Sequence, residues 1–200
     1  MKDSLVTFAF FAVGIILGLS DLSPELLHHS SLPSLLLALL VLMVGADLGA
    51  NADLEHMARS FDIGMIALPL FTIFGTLLAV TLAAPLFGDT LQDTLAVGSG
   101  FGYYSLSSIL IADLKGAGAT ELAAVALLAN VVREMLALFC APLFVKTCGR
   151  FAAVSAAGVC SIDVCLPQII RTAGADMVPY AVFHGIALEI SIPLLIAAFC

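Results

Sequence analysis

The chain has 200 residues, of which 62% are hydrophobic and 11% charged, with a formal net charge of −8. Soluble domains carry about one quarter charged residues, so this composition excludes a water-soluble globular fold and makes the bilayer the solvent. With 7 Lys and Arg against 15 Asp and Glu there is no basic face, which excludes a nucleic-acid-binding protein.

The first run, MKDSLVTFAFFAVGIILGLSD, has the lysine and apolar stretch of a signal peptide. It lacks an A-x-A site, carries Asp3, and is followed at once by further apolar runs, so it reads as a retained helix over 5–19. A turn over 20–33, holding His28 and His29, leads to a second helix over 34–48 that contains Asp47 near its end. The pairs Gly14-x-x-x-Gly18 and Gly45-x-x-x-Gly49 favour close helix packing. A polar connection over 51–62 precedes a third helix over 63–86, and GDTLQDT, 88–94, reads as a turn.

The next element, LAVGSGFGYYSLSSILIAD over 95–113, has apolar ends and a middle of glycines, tyrosines and serines. Such a middle predicts a broken helix. Unwound backbone at membrane depth persists only where protein or a cavity satisfies its polar groups. Gly100, Ser105 and Ser107 are therefore candidates to present carbonyls and hydroxyls to a substrate, with tight helix packing as the alternative. The G-x-G-x-G spacing follows no strand and makes a poor dinucleotide loop.

After a polar turn over 114–121, a helix over 122–145 carries Asn130, Arg133 and Glu134. Asn130 and Glu134 share a face at i, i+4, whereas Arg133 points about 100° away from Glu134. The two charges can thus meet different partners. Glu134 lies about halfway along the helix, and ionisable groups at such depth are costly and mark functional sites. The alternative is a structural ion pair or snorkelling.

A basic turn over 146–150 leads to a second interrupted element over 151–171, with Ser161, Asp163, Pro167, Gln168 and Arg171. Asp163 is either a second carboxylate, a partner for Arg133, or the N-cap of a half-helix. The last helix, 178–199, carries His184, read as a bonded interior histidine, and Glu189, read as interfacial. Cys140, Cys148, Cys160, Cys165 and Cys200 lack metal or haem spacing and read as small hydrophobes. No metal and no cofactor is expected.

These readings predict an all-α, polytopic integral membrane bundle, one transporter domain over 1–200. It has about five full crossings and two interrupted, re-entrant elements near 95–113 and 151–171. With both elements re-entrant, Lys2, Arg59, Lys146, Arg150 and Arg171 share one side and only Lys115 opposes them, which places the N-terminus in the cytoplasm. Two interrupted elements around a helix with a buried acid match transporters whose substrate and coupling ion meet at the midplane. Glu134, Asn130, Arg133, Asp163, Gly100, Ser105 and Ser107 are the expected substrate and proton site. A buried carboxylate suits a cation and can exchange it for a proton.

The stretches SGFGYYSLSSIL (99–110), NVVRE (130–134), GVCSIDVCLPQIIRTAGADMVP (158–179) and FHGIALEISIPLLI (183–196) resemble the LysO-type lysine exporters of bacterial inner membranes. The resemblance implies export of L-lysine and analogues such as thialysine, coupled to protons, with Glu134 matching an embedded acid of the family. Single-chain members carry further helices before this region, including another intramembrane acid. The chain resembles their C-terminal two-thirds, so either a small separate membrane subunit supplies the rest, which is the favoured expectation, or the chain is incomplete as an exporter. The competing classes are a carrier of another cation or small solute, an intramembrane enzyme, and a non-transporting assembly subunit. The enzyme reading fails for want of a nucleophile–base pair, a metal set or an acid-pair motif.

Overall fold

The protein is described from a computed structural model, which covers residues 13, 16, 17, 39, 42, 46, 62–87, 90–116 and 119–200. The chain divides into two compact units, Met1–Arg59 and Ser60–Cys200. Apart from those six isolated positions, all helical, the expected helices over 5–19 and 34–48 with their glycine pairs and Asp47 lie outside the described residues.

Within the second unit the described residues form helices α1 (Ile63–Phe87), α2 (Leu91–Gly98), α3 (Tyr104–Lys115), α4 (Thr120–Cys148), α5 (Arg150–Ala157), α6 (Leu166–Ala173) and α7 (Val178–Phe199). Short 3₁₀ turns occupy Gly158–Ile162 and Ala175–Met177. No strand occurs among the described residues. Three stretches are long and apolar enough to cross a bilayer, Ile63–Leu86, Thr120–Cys148 and Ala175–Phe199. The unit is a helical membrane protein. α1 shows why water cannot be its solvent: Leu70, Phe71, Phe74, Leu78 and Leu82 all stand exposed along it.

Each interrupted element is a hairpin of two short helices. The outer ends of the first are tied by an ion pair from Lys115, the last residue of α3, to Asp93 in the first turn of α2. The outer ends of the second are tied by Arg150, the first residue of α5. Its guanidinium donates to the Ala173 carbonyl at 3.3 Å and to Asp176 Oδ2 at 2.5 Å. The two outer ends of each hairpin therefore lie close together. The 29-residue helix α4 connects the first hairpin to the second.

The expected turn over 88–94 is shorter than the sequence implied, because α2 begins at Leu91. The Thr90 hydroxyl accepts from the Asp93 amide at 3.2 Å and donates to Asp93 Oδ2 at 2.6 Å. Thr90 and Asp93 thus make a cap and first turn rather than a loop.

The hairpin tips meet. The Val159 amide of the second tip donates to the Phe101 carbonyl of the first at 3.0 Å. The contact is between main chains, and Gly158 permits it: at φ +63° a Cβ there would overlap the Phe101 carbonyl oxygen. Phe101 itself sits at φ 43° and is fully buried. Around it lie Ala96, Ile111, Ala126, Val159, Leu188 and Ile192, so the apolar core is centred on the crossing.

Candidate functional site

Opening a helix at membrane depth leaves amides and carbonyls without partners, at a cost of several kcal/mol for each unsatisfied group. The first tip solves this with one neutral side chain. Asn130 Oδ1 accepts from the Gly102 amide at 2.8 Å. Its Nδ2 donates to the Ala126 carbonyl at 2.8 Å, to Ser107 Oγ at 3.3 Å and towards the Val97 carbonyl at 3.4 Å. Gly100 makes room for this amide, since a Cβ there would overlap Asn130. Asn130, Gly100 and Ser107 are thus brought together, whereas Ser105 lies on the exposed side of α3.

The second tip draws on a cation and a histidine. Arg133 Nε donates to the Ala156 carbonyl at 3.2 Å and Nη2 to the Ser155 carbonyl at 3.0 Å, at the C-terminal end of α5. A cation there complements the negative end of the helix dipole. Nη1 reaches Thr76 Oγ1 on α1 at 3.4 Å, and the guanidinium carbon lies 5.8 Å from the Phe101 ring centroid. His184, fully buried on α7, places Nε2 2.9 Å from Thr72 Oγ1 and Nδ1 3.5 Å from Ser161 Oγ. Thr72 is also 3.0 Å from Ser155 Oγ, and Ser161 Oγ donates to the Ala181 carbonyl at 2.8 Å.

Glu134 turns away from its neighbour. It is 7% exposed, with the Cys160 thiol in hydrogen-bonding reach and Asp163 and Tyr104 in electrostatic range. Asp163 in turn senses Glu189 of α7. The bonds of Arg133 go to carbonyls and a hydroxyl, so Asp163 does not serve as its partner. Nor does Asp163 cap α6, whose N-cap residue is Cys165. Asp163 Oδ1 accepts from the next amide, Val164, at 2.6 Å and fixes the turn before α6.

Thr72, Ser155 and the contacts of His184 carried no sequence signal. A threonine inside a membrane helix commonly bonds the carbonyl four residues back, as Thr81 does to Leu77. Thr72 makes the same bond to Leu68, so only its additional partners distinguish it. Among the described residues no cluster of ligating side chains could hold a metal. Outside the spanning helices, hydrogen bonds from Lys115 and then Thr90 hold the Asp93 carboxyl below the usual carboxylate range.

Two hairpins thus meet tip to tip beside a buried acid in a helical membrane protein. Residues 8–200 match the family model described as lysine exporter LysO. The chain belongs to that family. It is 32% identical over 197 residues to the lysine exporter LysO of Escherichia coli, covering 98% of this chain and 64% of the relative. It is 29% identical over 188 residues to a Haemophilus influenzae protein named "Putative lysine exporter", covering 94% of this chain and 93% of that protein. The chain thus spans less than two thirds of the length of the first relative. No solved structure matches it.

Proposed function

We propose that this chain takes part in exporting L-lysine and lysine analogues across a bacterial inner membrane, by antiport against protons, with its N-terminus in the cytoplasm. The observation that carries the reading is Glu134, a carboxylate at mid-helix whose neighbours are the second tip and Asp163. A carboxylate there binds a substrate ammonium or a proton but not both at once, which is the exclusivity antiport requires. Unwound backbone at a midplane site is the usual setting for such exchange. The names of the two relatives supply lysine as the substrate to test first. About a third of the E. coli relative lies outside the matched region, and the reading assigns further helices to it. The proposal includes their supply by a small membrane subunit or by further sequence.

The test is lysine efflux from preloaded cells lacking their own exporter. It compares the chain alone, the chain with its genomic neighbour, and both with Glu134→Gln at matched expression. Efflux that disappears in the variant and acidifies no longer on lysine release supports the antiport. Efflux of another cation in place of lysine would move the substrate assignment. Wild-type efflux retained by Glu134→Gln removes the carboxylate from the path.

A further inference from the structure

Arg133 is adjacent in sequence to the acid that the proposed function relies on, yet its surroundings differ. Its side chain spans three elements: two carbonyls at the end of α5, a hydroxyl on α1, and the Phe101 ring at the first tip. Phe101 is the residue whose carbonyl receives the cross-tip bond from Val159. Arg133 therefore grips both sides of the crossing, through carbonyls at the end of α5 and the aromatic face of Phe101.

Two clefts flank this side chain. One, of about 250 Å³, lies between α1, α2 and α4, with Thr76, Val80, Val97 and Asn130 among its walls. The other, of about 290 Å³, lies along α4 beside Ala156, with Val132, Leu136 and Phe144. Both present almost entirely apolar atoms. Its nitrogens are already engaged, Nε and Nη2 with the Ala156 and Ser155 carbonyls and Nη1 with the Thr76 hydroxyl. A substrate carboxylate in either cleft would meet a mostly apolar lining and an arginine whose nitrogens already have partners.

We propose that Arg133 is a positioning residue that latches the two hairpin tips together, and that it does not touch the transported substrate. The functional part of this assignment rests on the export reading above, whereas the latch itself does not. A planar guanidinium satisfies two neighbouring carbonyls while lying over a ring. An ammonium, a compact point charge, holds one carbonyl at a time. Lysine is therefore a poor replacement despite keeping the charge.

The test reads the crossing directly through a native thiol. Cys160 is 7% exposed and donates to the Gly102 carbonyl across the tips at 3.5 Å, so it reports whether they stay closed. The rate of N-ethylmaleimide labelling at Cys160 is followed by peptide mass spectrometry in membranes. The full chain is compared with Arg133→Met, Arg133→Lys and the milder Phe101→Leu, alongside KM and maximal rate of lysine efflux. Loss of two charge-assisted bonds predicts labelling faster by about tenfold or more in Arg133→Met. Arg133→Lys is expected to fall between it and wild type. Maximal efflux should drop by a similar factor while KM stays within about threefold, because only an interaction with bound substrate would change KM selectively. Wild-type labelling in Arg133→Met or Arg133→Lys, with KM raised tenfold, would overturn the latch and make Arg133 a substrate ligand. If Arg133→Met fails to fold, Arg133→Lys and Phe101→Leu decide by the same labelling. If the wild-type protein moves no lysine, the export reading falls and the labelling still decides the latch.

Discussion

The two hairpin tips solve one problem in different ways. The first is built of Ser99, Gly100, Phe101 and Gly102 and is pinned by the neutral amide of Asn130. The second holds Cys160, Ser161 and Asp163, and is pinned by Arg133 and His184. The carboxylates cluster at the second tip alone: Glu134 faces it, and Asp163 belongs to it. A neutral tip holds its shape whatever charge passes by, and a tip with acids changes its interactions when a cation arrives. The first tip is the anvil for the second, and the proposed exchange site lies on one side of the crossing.

Several substitutions break or sharpen this division. The largest effect is expected at the crossing, where both tips suffer together. Gly158→Val would place a branched side chain at φ +63° against the Phe101 carbonyl. Left-handed strain and overpacking together cost about 3 kcal/mol or more, so little protein should elute as a monodisperse peak in detergent. Asn130→Leu comes next, because it strips the first tip of its amide and leaves the Gly102 amide buried without a partner. The expected loss is about 1–3 kcal/mol, read as a lowered thermal midpoint. If the tips divide as argued, Glu134→Gln keeps that midpoint within about 1 kcal/mol of wild type while removing efflux.

Thr72→Val sharpens the contrast from the other tip, since it removes the hydroxyl between His184 and Ser155 at nearly constant volume. Interhelical bonds in membranes average about 0.6 kcal/mol and reach about 1.7, so a small fall in midpoint is expected. A fall as large as that of Asn130→Leu would show that the second tip bears as much structural load as the first. The smallest effect belongs to the rim, at Asp93. Its carboxyl is depressed in the folded protein, by Lys115 first. It therefore contributes stability above its unfolded value, near pH 3.9, and loses it as pH falls through the folded value. The pair is partly exposed, so the contribution is below about 1 kcal/mol. The thermal midpoint of Asp93→Asn should match acidified wild type and lie slightly below wild type near neutral pH.

Much of this layout could be read from residue type and depth. Glycines in a membrane run signalled the first break, and Asp163 ahead of Pro167 signalled the second. The i, i+4 and i, i+1 offsets put Asn130 and Glu134 on one face and turned Arg133 from Glu134. Both interrupted elements fold as hairpins whose ends are closed by the ion pairs of Lys115 and Arg150. What stayed hidden was pairing between elements. Nothing in the order of residues links Thr72 with His184 across 112 positions, or Phe101 with Arg133. Asp163 also resisted reading, because a short polar side chain before a helix serves a cap, a turn or a site equally well. Its choice of Val164 depends on how the 3₁₀ turn ends.

The bond from Val159 to Phe101 joins two main chains, and that determines what sequence drift it can survive. It asks for no chemical identity from its neighbours, only for emptiness at Gly158, with a second empty place at Gly100 for the amide that braces the first tip. Such a joint is insensitive to most exchanges around it. It is also beyond repair by them: bulk added at Gly158 cannot be offset by trimming a facing side chain, because the facing atom is a carbonyl oxygen that every residue carries.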